Sequence, residues 1–105
     1  MDVQKVNFQI GQIVHHVLFD YIGVIYDVDP VFEGTDEWYN QMARSQPPKD
    51  KPWYNILVHN ALHTTYVAEQ NLESVKTPQK IQHPMIDELF STFDGIKYEQ
   101  RRRSN

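Results

Sequence analysis

The sequence has no cysteine, only four glycines and no long run of apolar residues. Without cysteine, a disulfide framework, a thiol nucleophile and a cysteine-ligated zinc site are all excluded. The glycines are scattered, so no glycine-rich loop is present to bind phosphate. No apolar run approaches the roughly 20 residues of a membrane-spanning helix, and the first residues do not resemble a secretion signal. These absences predict a cytoplasmic protein that contacts no membrane.

Basic side chains are also in short supply. The 105 residues contain 10 Lys and Arg against 14 Asp and Glu, which gives a formal net charge of −4. Three of the basic residues are consecutive, at Arg101, Arg102 and Arg103. Because Lys and Arg supply most of the affinity for a phosphate backbone, this balance disfavours nucleic acid as the main partner. The three arginines are the candidate DNA or electrostatic contacts.

The residues that are plentiful predict one small, mainly β domain over residues 1–105. Hydrophobic residues make up 40% of the chain and aromatic residues 12%, as in folded globular proteins. Between residues 8 and 76, β-branched and aromatic residues recur at every second position in short stretches, which is typical of half-buried strands. Five such strands in so few residues predict a small, strongly curved five-stranded barrel.

Two segments carry helical signals. The 30–52 connection is much longer than the usual link of about 4–6 residues, and Thr35 with the acids after it suits the start of a short helix in that loop. Near the C-terminus, apolar residues are spaced as on one helical face, at Ile86, Leu89, Phe90 and Phe93. This stripe predicts a C-terminal helix over about 84–94 that packs on the barrel or on another chain, followed by a frayed tail over 96–105.

Histidines and carboxylates are the groups that could carry chemistry. His15 and His16 are adjacent, so on a strand they point to opposite faces. His59 and His63 flank a predicted turn, but the pattern supplies no third and fourth ligand for a metal. The acids between 27 and 37 are typical of a solvated surface. We therefore expect no catalytic residue, no metal and no cofactor, and hence a protein that is not an enzyme.

Aromatic residues on either side of the 30–52 loop are the candidate partner-binding residues: Trp38, Tyr39, Trp53 and Tyr54. Trp and Tyr are frequent anchors of peptide recognition and of stacked bases. On residue type alone, packing in the core or as a staple of the loop is favoured over partner binding for each of them. The long loop is therefore the best candidate for a functional surface.

The motifs of one family occur in order along the chain. They occupy residues 10–12, 16, 21–30, 37–39, 52–54, 63–72 and 83–84. Over roughly residues 8–95, the sequence resembles the heat shock protein HspQ family, which is also described as YccV-like hemimethylated-DNA-binding domains. The resemblance implies an SH3-like β-barrel, in agreement with the strand pattern.

The same resemblance implies two alternative roles. In the first, the chain is a non-enzymatic stress-response protein that acts as a specificity-enhancing factor, or adaptor, for the Lon protease and promotes degradation of selected or denatured proteins. In the second, it binds hemimethylated DNA near the replication origin. The acidic charge and the lack of catalytic groups favour the first role. The resemblance further implies a homo-oligomer, with a trimer as the expected state.

Overall fold

The structure is a computed structural model that describes residues 6–101 and is mainly β. Its strands are β1 (Ile13–His16), β2 (Tyr21–Asp29), β3 (Trp53–Val58), β4 (Thr64–Ala68), β5 (Leu72–Ser74), β6 (Phe90–Phe93) and β7 (Tyr98–Gln100). The first five strands lie within the 8–76 region, so the five short strands predicted there are confirmed. A 3-10 turn, Glu69–Asn71, joins β4 to β5.

The first five strands form one antiparallel sheet in the order β4-β3-β2-β1-β5. Gly23 lies where β2 approaches β3 so closely that a side chain would overlap Ile56 and the Leu57 carbonyl. A bulge between Ile25 and Asp27 adds twist to β2. Strand pairing within residues 6–101 leaves β4 and β5 as the two edges, so the closed SH3-like barrel is not confirmed.

The helix predicted in the 30–52 loop is confirmed as α1 (Asp36–Met42). Its N-cap is Thr35, whose hydroxyl accepts the backbone N–H of Trp38 at 3.1 Å, and acidic residues fill its first turn, where they favour the positive end of the helix dipole. The ammonium of Lys49 lies 3.0 Å from the Asp36 carboxylate. That ion pair joins the start of the helix to the returning chain.

The C-terminal helix predicted over 84–94 is wrong beyond its first turn. Only α2 (Ile86–Leu89) is helical, and the chain continues as β6, which pairs with β7 in a hairpin. A bulge between Phe90 and Thr92 explains the mistaken pattern, because one extra residue places aromatic side chains three positions apart on the same strand face. Phe90 and Phe93 both contact the Tyr98 ring, at centroid distances of 5.2 and 4.8 Å.

The tail predicted to fray from residue 96 is likewise ordered as far as β7. The β6–β7 hairpin covers one face of the five-stranded sheet. The two are joined by a cluster of buried residues, which are Ile13, Val24, Leu57, Ile81, Phe90 and Tyr98. The opposite face is filled by a second cluster, which consists of Val14, Ile25, Tyr54, Ile56, Val67 and Leu72. The sheet therefore has apolar residues packed against both of its faces.

The turn between β1 and β2 is organised by His16, which is only 3% exposed. Its Nδ1 accepts the backbone N–H groups of Leu18 and Phe19 at 3.2 and 3.1 Å, and its ring stacks on that of Phe19 at 4.7 Å. Since Nδ1 accepts two hydrogen bonds, it carries no proton. Burial lowers the pKa of His16, and the charge of neighbouring His15 lowers that pKa further.

His15 points to the other face of β1, as predicted, and contacts two carboxylates. Its Nε2 lies 2.7 Å from Asp20 and its Nδ1 lies 2.8 Å from Glu73. The hydrogen bonds to Asp20 and then to Glu73 raise the pKa of His15. The His15 ring thus ties the β1–β2 turn to β5.

We expect Phe90→Ala to lower the free energy of unfolding by about 3–5 kcal/mol, because it removes a fully buried ring. Phe93 is half-buried, so Phe93→Ala should cost clearly less. Urea unfolding followed by tryptophan fluorescence measures both values. Equal and small losses for the two variants would contradict the assignment of Phe90 to the core.

The two adjacent histidines should titrate on opposite sides of the ordinary pKa of 6.5. His15 then stabilises the fold below pH 6.5, and that contribution disappears as the pH rises through its raised pKa. His16 opposes it: stability is lost as the pH falls below 6.5, because the buried ring must take up a proton. NMR titration of the imidazole resonances measures both, and a reversed order of the two pKa values would contradict these environments.

Candidate functional site

Two of the four aromatic residues predicted to bind a partner are buried in the core. Trp53 and Tyr54 are consecutive in β3 and therefore point to opposite faces, and they are 1% and 0% exposed. The Trp53 indole donates to the Pro48 carbonyl at 3.1 Å, and the Tyr54 hydroxyl donates to the Glu69 carboxylate. Both side chains therefore pack in the core, and their direct contact with a partner stays a prediction.

The other two, Trp38 and Tyr39, are half-buried on α1 and belong to an aromatic cluster with Trp53. The Phe32 ring lies 4.9 Å from Trp53 and 5.4 Å from Tyr39, and the Tyr66 ring lies 5.6 Å from Trp38. The Tyr39 hydroxyl donates to the Pro47 carbonyl at 2.8 Å. These contacts hold α1 against the sheet, so the structure brings together three of the four predicted aromatics.

A groove of about 810 Å³ opens beside this aromatic cluster. It runs along the β4 edge of the sheet, between the β1–β2 turn on one side and the end of α1 on the other. Three of its lining side chains are large, apolar and exposed: Leu18 at 58%, Phe19 at 73% and Met42 at 63%. Clustered apolar side chains that remain exposed on a folded protein mark interaction surfaces. We call this site the β4 groove.

The β4 groove has an unusual charge distribution for this acidic chain. Among its lining residues there is no carboxylate, and Arg44 is the one Lys or Arg side chain. Arg44 is exposed, and within residues 6–101 it forms no ion pair. The groove is thus mainly apolar, and uncharged polar side chains, two histidines and Arg44 complete its lining.

Hydrogen bonds fix the floor of the groove. The Tyr66 hydroxyl donates to the Asp29 carboxylate at 2.6 Å and accepts the Glu33 N–H at 3.0 Å. Burial and the hydrogen bond to Asp29 raise the pKa of Tyr66, so this hydroxyl stays protonated as a donor. On the other sheet face, the hydroxyls of Tyr21 and Thr65 lie 2.7 Å apart. The floor is therefore rigid, whereas the apolar side chains at the rim are exposed.

The rim residues were missed by sequence reasoning, although a signal was present. Leu18 and Phe19 lie in a tight turn, where polar residues and glycine are usual, and such large apolar residues pointed to a contact surface. Met42 gave no comparable signal, because it is spaced four residues from Trp38 and so resembles a residue of the buried helix face.

The predicted arginine site is only partly described. The Arg101 guanidinium donates to the carbonyls of Asp87 and Phe90 at 3.0 and 3.3 Å, which ties the end of β7 to α2. Arg102 and Arg103 lie outside the described residues. Across residues 6–101, no cluster of three or more potential ligands could hold a metal, and none of the helices there has the length and apolar character to cross a bilayer.

Comparisons with known proteins place the whole sheet in one family. The family described as hemimethylated DNA-binding protein YccV like matches residues 6–97. F-box only protein 21 is 37% identical over 97 residues in Homo sapiens and in Pongo abelii, and 36% identical in Mus musculus. Each match covers 90% of this chain but only 15–16% of the relative, so the chain spans about a sixth of the length of these proteins.

The family match confirms the resemblance drawn from the sequence motifs. It includes the five-stranded sheet, α1 and every element that lines the β4 groove. The chain belongs to the YccV-like family of hemimethylated DNA-binding proteins, which includes HspQ.

Proposed function

We propose that this chain is a non-catalytic recognition module that binds unfolded segments of selected proteins in the β4 groove and promotes their degradation by the Lon protease. The observation that carries the proposal is the exposure of Leu18, Phe19 and Met42 around one open groove. Apolar side chains are buried in folded proteins and accessible in unfolded ones. An apolar groove therefore discriminates in favour of unfolded segments.

The groove suits this task because its floor is rigid and its rim is apolar. Binding costs less when the receptor is already ordered, since fewer side chains lose rotamer freedom. The hydroxyl of Tyr66 and the indole of Trp53 are fixed by hydrogen bonds before any ligand arrives. The ligand then contributes most of the ordering cost, as expected when an unfolded segment binds.

The link to the Lon protease is supported by the resemblance to the HspQ family, and the groove supports the recognition of the substrate. An adaptor needs no chemistry of its own, because it acts by raising the local concentration of substrate at the protease. A homo-oligomer in the cytoplasm, as the resemblance implies, would present several grooves to one unfolded chain. Such multivalent binding strengthens attachment without any new contact.

The degradation assay uses purified Lon and a fluorescein-labelled protein that is permanently unfolded. The chain should raise the initial rate of degradation, and Phe19→Asp or Met42→Asp should remove most of that gain, because a charge in the groove opposes apolar contacts. Ile96→Asp is the matched control, since Ile96 is 70% exposed but lies at the β6–β7 turn, outside the groove.

Two outcomes of that assay would contradict the proposal. One is a degradation rate that does not change with the chain at any ratio of chain to protease. The other is an equal loss of stimulation in Ile96→Asp and in the two groove variants, because the apolar groove would then have no special part. Circular dichroism of all three variants verifies that they are folded.

DNA binding is the second candidate function, and the description of the family favours it. Reading one methyl group requires apolar contact in the major groove together with phosphate contacts that position the protein. Residues 6–101 contain seven Lys and Arg against thirteen Asp and Glu. Arg101 is already engaged with backbone carbonyls. The charge distribution therefore ranks DNA below an unfolded protein as the main ligand.

Binding to matched hemimethylated and unmethylated duplexes tests this ranking at about 0.15 M salt, where the Debye length is about 8 Å. We expect weak and equal affinities that fall steeply with added salt, as for contacts to phosphate alone. The variant with Arg102→Ala and Arg103→Ala should weaken both duplexes to the same extent. Clear preference of the unchanged chain for the hemimethylated duplex would reverse the ranking.

A further inference from the structure

The β4 groove contains a strand edge that has no partner strand within residues 6–101. The backbone groups that are left free at this edge can be assigned from the hydrogen-bond register. In an antiparallel pair, residues alternate between those that bond to the partner strand and those that face away. The Glu69 N–H donates to the Pro52 carbonyl at 3.1 Å, which fixes the phase of the β3–β4 ladder. Two residues before Glu69, Val67 is the hydrogen-bonded partner of Tyr54. The next hydrogen-bonded pair is Thr65 with Ile56.

The pairing of β3 with its other neighbour gives the same phase. The His59 N–H donates to the Ile22 carbonyl at 2.9 Å, so Leu57 is a bonded partner in the β2–β3 ladder. The polar groups of the next residue, Ile56, therefore face β4. It follows that the backbone N–H and C=O groups of Thr64 and Tyr66 point away from the sheet, and no hydrogen bond to another part of residues 6–101 uses them.

The two edges of the sheet differ in how they are protected. Exposed edges are usually blocked against pairing by charges, proline, bulges or shortness. The β5 edge is only three residues long and carries Glu73. The β4 edge is five residues long, contains neither a charged residue nor a proline, and its register with β3 is continuous. An edge of this kind is a template for another strand.

Side chains on both faces of β4 define what can pair with this edge. Tyr66 packs in the aromatic cluster under α1, on the face towards Met42, whereas Thr65 contacts Tyr21 on the face towards the β1–β2 turn. Successive side chains of an added strand would therefore meet apolar surface on alternate sides. A continuous apolar run fits both faces. Arg44, which has no ion-pair partner within residues 6–101, favours a carboxylate next to that run.

We propose that the β4 groove binds an extended segment of an unfolded protein as a sixth strand of the sheet, paired with the free edge of β4. This proposal rests on the proposed function, and it adds the mode of binding and the chemistry of the ligand. The ligand is a run of about five apolar residues, which matches the length of β4, with an acidic residue beside the run. Backbone hydrogen bonds supply affinity, and the apolar walls supply selectivity.

The probe is an end-labelled nine-residue peptide that has a central run of valine and isoleucine and a glutamate at each end. Its isomer carries two adjacent N-methylvalines in place of two adjacent isoleucines, so the composition is unchanged while two neighbouring amide N–H groups are lost. Two adjacent losses block pairing in either register. We expect the first peptide to bind the full chain. The N-methylated isomer should bind about two- to tenfold more weakly, because one of its two lost N–H groups faces β4 in either register and each hydrogen bond contributes a factor of about two to ten.

Hydrogen exchange and one variant of the protein test the same strand pairing at β4 instead of at the peptide. The amides of Thr64 and Tyr66 should exchange quickly in the free chain and slowly with the first peptide bound. Thr64→Pro removes a donor that faces the groove and leaves the β3–β4 ladder intact, so it should weaken the first peptide about two- to tenfold. Unchanged exchange at Thr65 and Val67 verifies that the variant keeps its ladder.

Three results would overturn strand addition: no binding of the first peptide, equal binding of the two isomers, or amides of Thr64 and Tyr66 that are already protected in the free chain and lose protection on dilution. The last result would show that a second copy of the chain occupies the edge. The degradation assay separates this failure from that of the proposed function. If Thr64→Pro stimulates Lon fully while Met42→Asp does not, recognition in the groove stands and strand addition is wrong.

Discussion

Trp53 and Tyr54 are adjacent residues of β3, and their burial on opposite faces of the sheet is the constraint on which the rest of the structure depends. Each buried aromatic ring removes about 150–250 Å² from water, so β3 is fixed from both sides. Trp53 anchors the cluster that positions α1. Tyr54 packs in the opposite core and bonds through its hydroxyl to Glu69 and to the N–H of Phe8. The position of β4 follows from this anchoring, since β3 is the one strand of residues 6–101 with which β4 pairs.

The β4 groove is a consequence of how three segments meet on that frame. The β1–β2 turn is held by a buried His16 that accepts two backbone N–H groups on one face, and by His15, which contacts the Asp20 carboxylate, on the other. The loop that carries α1 is held by contacts between aromatic rings and by the ion pair of Lys49 with Asp36. Both segments bring apolar residues to the groove without covering β4. The outcome is a rigid sheet edge with exposed apolar side chains on either side, which suits an extended apolar ligand.

Local sequence signals predicted the elements of this fold that depend on near neighbours. The five strands follow from alternation, and the start of α1 follows from Thr35, whose hydroxyl needs only the N–H three residues on. The C-terminal helix failed because the β6 bulge produces the same spacing of Phe90 and Phe93 that a helix would. The spacing alone cannot distinguish the two, since the difference lies in the pairing with β7.

The candidate site was harder to predict than the fold because exposure is a property of the assembled chain. Trp53 and Tyr54 are of residue types that are common in binding surfaces, but their positions in a central strand bury them. The free edge of β4 depends on strand order, which no local pattern of residues 64–68 reveals. Leu18 and Phe19 are the residues from which the site could have been predicted, because large apolar side chains are unusual in a tight turn.

Methyl NMR on methionine tests the central claim, that the β4 groove is where an unfolded protein binds. Met42 lies at the groove rim and is 63% exposed, whereas Met85 lies against the cluster under the C-terminal hairpin and serves as the internal reference. Titration with an unlabelled, permanently unfolded protein should shift or broaden the Met42 methyl resonance and leave that of Met85 unchanged. Binding that perturbs Met85 while leaving Met42 unaffected would contradict the account.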